Sequence, residues 1–200
     1  VTISGASQVE AGGVLNLTCE SSDSNPPASL TWTIQGEVLE RSKAVVGRDG
    51  SGGWVTSSHL THLTPTPTNL THLTVECRAL NPAIERVVRK VTTVTIIRPA
   101  GHPEFECDLS EALLAGTNLD LTCVSVGGHP PPTIRVYKGE EEVATEVSVD
   151  VGVARARAEV EVRPSDNGVD VRCEAVNPAS PIPLTTSHTL SVLFAPWEVR

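Results

Sequence analysis

The chain has no methionine, one tyrosine, two phenylalanines and three tryptophans in 200 residues, so aromatics make up only 3% of it. A core this poor in large rings has to be assembled from Val, Leu, Ile and Ala, each of which buries less surface than an aromatic. Long apolar runs are missing as well. Nothing approaches the roughly 20 consecutive apolar residues of a bilayer-spanning helix, and neither a secretory leader nor a lipidation motif is present. Basic clusters are absent: 15 Lys and Arg stand against 24 Asp and Glu, and no basic run offsets the formal net charge of −9. That balance argues against nucleic acid and anionic membrane as partners. No glycine loop follows a parallel strand into a helix, and no nucleophile, base and orienting group emerge as a set, so neither enzyme activity nor a cofactor is expected.

What is present is a repeat. Leu15-Asn16-Leu17-Thr18-Cys19 returns as Leu119-Asp120-Leu121-Thr122-Cys123, and Cys77-Arg78-Ala79-Leu80-Asn81-Pro82-Ala83 returns as Cys173-Glu174-Ala175-Val176-Asn177-Pro178-Ala179. Each copy puts one cysteine on an early alternating strand and a second on a late one, roughly 50 to 60 residues on, the spacing of an immunoglobulin-type sandwich with its inter-sheet disulfide. The expected fold is therefore all-β: two tandem immunoglobulin-like sandwiches, residues 1–98 and 99–195, with 196–200 beginning a further segment. Pairing Cys19 with Cys77 and Cys123 with Cys173 implies an oxidising, extracellular compartment. Closing a loop of that length contributes about 4 kcal/mol in the chain-entropy model.

In the first unit Val14–Cys19 reads as a strand with Leu15, Leu17 and Cys19 inward. Leu30–Ile34 reads as another, with Trp32 thirteen positions after Cys19, where the core tryptophan of such sandwiches lies on the disulfide. A short strand over Val38–Glu40, a glycine-rich loop over Arg48–Gly53, and strands over Trp54–Leu63, Leu73–Leu80 and Val87–Ile97 complete it. In the second unit Val136 stands where the tryptophan would be, strands run over Ala154–Val162 and Val169–Val176, and Leu190–Pro196 reads as the last strand. Val75 and Val171 occupy the place of the tyrosine-corner residue, which points to constant-like or intermediate sandwiches. Two prolines in Arg98–Pro103 stiffen the connection.

Two glycosylation acceptors agree with the compartment: Asn16, which alternation directs to solvent, and Asn69. Cys107, placed on the first strand of the second unit, has no partner; it is either a shielded thiol or bonded to another chain or domain. His59, His62 and His72 invite a metal reading, but positions three apart on a strand face opposite sides, so no metal site is expected. Glu37, Glu40 and Glu140–Glu142 are acidic hairpin residues, best read as solvated turn charges.

The motifs Ser24-Asn25-Pro26-Pro27-Ala28-Ser29-Leu30-Thr31-Trp32, Gly36-Glu37-Val38-Leu39-Glu40 and Pro164-Ser165-Asp166-Asn167-Gly168 before Cys173-Glu174-Ala175, together with the exit Leu190–Pro196, resemble the nephrin branch of cell-adhesion immunoglobulin proteins over essentially the whole chain. The first unit departs from that pattern in lacking the Asp-Asn-Gly turn before Cys77. The resemblance implies a fragment of a single-pass plasma-membrane receptor whose ectodomain recognises another immunoglobulin-superfamily protein of Neph/Kirre type. The outward residues of the strands carrying Trp32 and Cys77, namely Thr31, Thr33, Glu76, Arg78 and Leu80, are binding candidates. Their counterparts in the second unit are Arg135, Tyr137, Asp170, Arg172 and Glu174. Tyrosine and arginine have hot-spot chemistry, whereas the bland alternative is ordinary cross-strand charge pairing. The segment itself either recognises a partner or spaces a recognising domain from the membrane; a segment of an immune or growth-factor receptor is the alternative parent.

Overall fold

The computed structural model of the chain describes residues 1–39, 43–48, 50, 52–66 and 69–196. It divides into two compact all-β units, Val1–Ile97 and Arg98–Arg200.

In unit one the strands are β1 (Thr2–Gly5), β2 (Gln8–Glu10), β3 (Val14–Glu20), β4 (Ser29–Ile34), β5 (Glu37–Leu39), β6 (Lys43–Arg48), β7 (Trp54–Leu63), β8 (His72–Asn81) and β9 (Arg86–Ala100), whose residues 98–100 belong to unit two. One sheet runs β1-β3-β7-β6. The other runs β9-β8-β4-β5, with β2 added in parallel to β9 at Gln8↔Thr95. Period-two alternation explains the layers: Leu15, Leu17 and Cys19 are buried while Asn16 faces out. The Cys19–Cys77 disulfide joins the sheets. Trp32 is fully buried in the same cluster, and its indole Nε1 donates to Ser58 Oγ at 3.1 Å, so the one polar atom of the ring is satisfied.

Unit two has β10 (Glu104–Phe105), β11 (Leu113–Leu114), β12 (Asn118–His129), β13 (Thr133–Lys138), β14 (Glu141–Val143), β15 (Glu146–Asp150), β16 (Val153–Glu161), β17 (Asp170–Asn177), β18 (Ser180–Thr189) and β19 (Val192–Leu193). Its sheets are β15-β16-β12-β10 and β14-β13-β17-β18, bridged by the Cys123–Cys173 disulfide. Val136 takes the tryptophan's place and is fully buried. The partner strand adjusts with it: Ser58 lies opposite Cys19 in unit one, whereas Ala156 lies opposite Cys123 in unit two. Without an indole N–H there is nothing for a buried hydroxyl to accept, and alanine stands there instead.

Three expectations are corrected. Arg48 is not in a loop but ends β6, opposite Trp54, with its guanidinium 4.8 Å from the centre of the indole. Every described side chain of β6 is exposed, so this edge strand shows no alternation to read. The last long strand of unit two is β18 rather than Leu190–Pro196. Its Pro181 and Pro183 suggest a loop, but β18 is the sheet edge, where a missing N–H is tolerated; only Val192–Leu193 of the expected segment forms a strand, parallel to β11. Cys107 lies two residues beyond β10, half-buried against the unit-two core, and its thiol is free. Glu40, Asp49, Ser51 and residues 197–200 lie outside the described residues.

Candidate recognition surface

In unit one, the inward residues Leu73, Val75, Cys77 and Ala79 of β8 are buried, which turns Glu76, Arg78 and Leu80 to the opposite face. Register brings the neighbouring strands' outward residues beside them. Thr31 lies opposite Arg78 and Thr33 opposite Glu76, while Val38 lies opposite Thr33. On the other side Val87, Arg89 and Val91 lie opposite Leu80, Arg78 and Glu76. The face thus gathers all five unit-one candidates, and Leu80, 36% exposed, is joined on it by Val87 at 46%, Val91 at 47% and Val38 at 60%. Its charges are unbalanced. Arg78 Nε pairs with Glu76 Oε1 at 3.4 Å, but Arg89 stands directly across from Arg78, an arrangement of like charges that a sheet does not favour on its own.

The corresponding face of unit two is closed on itself. Arg135 lies opposite Glu174 and Tyr137 opposite Arg172. The Arg172 guanidinium sits 4.7 Å from the centre of the Tyr137 ring, and its Nε lies 3.2 Å from Glu174 Oε1, near enough for an ion pair though without hydrogen-bond alignment. The Tyr137 side chain, hydrogen-bonded to Arg135, and the Glu142 carboxylate 3.8 Å away raise the Arg135 pKa above its already high value. Thr189 Oγ1 donates to Asp170 at 2.5 Å. The five candidates here are brought together, and each has a local partner: Arg172 pairs with Glu174 along β17, Arg135 with Glu142 and Asp170 with Thr189.

Asn16 projects from β3, on the sheet opposite the unit-one candidate face. Its Oδ1 accepts from Thr61 Oγ1 at 3.0 Å, and the sequon hydroxyl of Thr18 is 2.9 Å from His59 Nδ1. Asn69 is exposed in the connection before β8. Among the described residues no group of three or more His, Cys, Asp or Glu is placed to hold a metal ion.

Two residues with a shared structural task went unassigned in the sequence. Asn177 is buried at the end of β17. Its Nδ2 donates to Arg98 O at 2.7 Å and Pro130 O at 3.0 Å, and its Oδ1 accepts from Ser180 N at 2.9 Å. Gly128 keeps space for it: a Cβ there would lie 3.1 Å from Asn177 Nδ2, and φ is +81°. Asn81 makes the looser version, donating to Asn25 O at 3.3 Å and accepting from Ala83 N at 3.0 Å. The signal was the repeated Asn-Pro-Ala after each second cysteine: an amide that clamps the loop between the strands of the first cysteine and of the tryptophan position.

A family model for the CD80-like C2-set immunoglobulin domain matches residues 2–86 and 94–181. The chain belongs to that family. Among its relatives, human nephrin is 31% identical over 190 residues, which cover 93% of this chain and 15% of nephrin. Mouse cell adhesion molecule 1 is 27% identical over 109 residues, 52% of this chain and 24% of that protein. The chain therefore spans about one-seventh of the length of human nephrin. The crystal structure of Rst D1-D2 shares the fold, with a TM-score of 0.67 at 15% identity, covering 94% of this chain and 96% of that one. The two disulfide-linked immunoglobulin-like sandwiches expected from the repeat, and the nephrin likeness carried by the motifs, are what the chain has; the C2-set type is what the family model adds.

Proposed function

We propose that the chain is an extracellular part of a membrane-anchored cell-adhesion receptor, and that the outer face of β4, β8 and β9 in unit one contacts another immunoglobulin-superfamily protein of Neph/Kirre type. One observation carries this reading: Leu80, Val87, Val91 and Val38 lie exposed around the opposed arginines Arg78 and Arg89 on a single face. Exposed apolar side chains flanking arginines are the residue types of binding surfaces, and an acidic group on a partner would relieve the Arg78–Arg89 repulsion. Thr31, Thr33 and Glu76 complete the surface. A glycan on Asn16 would cover the opposite sheet and leave this face open, and one on Asn69 would sit in a connecting loop.

For unit two the self-paired face of Arg135, Tyr137, Asp170, Arg172 and Glu174 favours a spacer role. Cell aggregation by the intact receptor tests both assignments. Arg78→Asp with Leu80→Asp should abolish aggregation, while Tyr137→Asp should leave it within about twofold, the behaviour of a residue outside a hot spot. Normal aggregation by the unit-one variant overturns the assignment of the face; loss through Tyr137→Asp overturns the spacer role.

A further inference from the structure

Two strand edges carry opposite charge. From Arg86 to Val94 the outer edge of β9 has no strand beside it among the described residues, because β2 joins β9 only from Thr95 to Ile97. Every side chain from Arg86 to Val91 is exposed, and Arg86, Arg89 and Lys90 interrupt Val87, Val88 and Val91. In unit two β15 is likewise the edge of its sheet, and all five of its side chains are exposed. Its sequence, Glu146-Val147-Ser148-Val149-Asp150, alternates acidic or polar with apolar. Val147 and Val149 point toward the interior face, opposite Ala156 and Ala154, yet remain 57% and 54% exposed. Long open edges invite pairing with another chain unless they are blunted. Of the other edges, β5 and β14 have three residues each and β18 carries two prolines, while β6 is open as well but turns its Arg48 onto Trp54.

A second feature marks β9 as a place to receive a strand. A groove of about 350 Å³ takes Arg86 and Val88 of β9 into its lining, with Ile84, Ala28 and Ala79 on its apolar side and Asp23 among its polar groups. Strand addition takes affinity from main-chain hydrogen bonds and specificity from pockets for alternate side chains. The charge distribution excludes β9 as its own partner, since two such edges would oppose arginine and lysine to arginine and lysine. Unit one has seven basic and eight acidic residues and unit two eight and sixteen, so the acidity resides in unit two.

We propose that β9 of one copy of the chain adds edge to edge onto β15 of a second copy. In this pairing Val147 and Val149 enter the groove beside Val88, and Glu146 and Asp150 lie on the sheet face of Arg89. This goes beyond the proposed partner-binding face: it shares Arg89 with that face, but its occupant is a copy of the same chain and its readout is self-association without a partner. Valine between cations also favours a protein strand over a sulfated polysaccharide, which would make no use of the apolar positions.

Sedimentation of the glycosylated chain up to about 1 mM, where even a weak contact associates, should show concentration-dependent association that weakens with added salt. Amide hydrogen exchange should slow with concentration over residues 86–93 and 146–150. Arg86→Glu/Arg89→Glu/Lys90→Glu and Glu146→Lys/Asp150→Lys each oppose like charges within one species, and each alone should associate at least tenfold more weakly, since like-charge juxtaposition is strongly penalised. Mixed, they should associate again, because each supplies the edge the other needs. All five positions are exposed, and unchanged thermal transitions confirm that the variants fold. A monomer throughout, protection at β6 in place of β9, or a mixture that stays monomeric overturns the proposal. None of these outcomes bears on binding of a Neph/Kirre-type partner.

Discussion

Ser58→Ala removes the hydroxyl that accepts from the buried indole of Trp32, 3.1 Å from Nε1. Both residues are fully buried, so water cannot replace the lost partner. A buried donor left unsatisfied costs about 1–3 kcal/mol. For a unit of this size each kcal/mol lowers the transition by about 4–8 °C. Trp32→Phe deletes the donor, and in that background Ser58→Ala should cost less than about 0.5 kcal/mol, since the coupling has gone. The reverse change in unit two, Ala156→Ser, places a hydroxyl beside Val136, which has no polar atom to meet it, and should destabilise by about 1–3 kcal/mol. Calorimetry of the whole chain, with the unit-one transition assigned from near-ultraviolet tryptophan signals, measures each of these variants. Equal losses for Ser58→Ala in the wild-type and Trp32→Phe backgrounds, or a neutral Ala156→Ser, would refute the view that each hydroxyl is matched to its ring.

Thr56 is fully buried and its hydroxyl has no partner among the described residues; Thr56→Val should stabilise unit one by about 1 kcal/mol in denaturant titrations, against a loss expected if the hydroxyl were bonded. Asn177→Ala strips three hydrogen bonds from a buried site and should cost about 2–3 kcal/mol, while the exposed and looser bonds of Asn81 make Asn81→Ala cost less than about 1; similar losses would contradict the clamp. Hydrogen bonds from the Ser110 hydroxyl and backbone N–H hold the Asp108 carboxyl below its ordinary 3.8. The bonded form therefore supports the fold above that value, and the support is lost as pH falls through the lowered pKa. Ser110→Ala should raise the Asp108 pKa toward 3.8 in a carboxyl NMR titration; no movement would discard the turn as its cause.

Most of the sandwich is legible because buried strands alternate. The expected Trp54–Leu63 matches to the residue, and Val14–Cys19 and Leu30–Ile34 match within one. Where every described side chain faces water, as in β6, alternation vanishes, and β18 hides its period because its inward residues after Leu184 are the polar Thr186 and His188. Both therefore escape a reading of the sequence. Cys107 is misplaced by it for a related reason, since two residues of strand at β10 are too short to carry a period. The candidate face is half visible. Alternation alone identifies Arg78 and Leu80 as outward, but the opposition of Arg78 to Arg89 and the row from Leu80 to Val91 depend on register between β8 and β9. Pairing partners also decide unit two, where Tyr137 and Arg172 have hot-spot chemistry but spend it on each other.

Binding of a Neph/Kirre-type ectodomain to the immobilised glycosylated chain tests the central claim most directly, with wild type and the Arg78→Asp/Leu80→Asp variant measured side by side. The expected result is saturable binding to wild type and a loss of at least tenfold in the variant, the loss of a hot spot of about 1.4 kcal/mol or more. Equal binding to both, or none to wild type, would contradict recognition by the outer face of unit one.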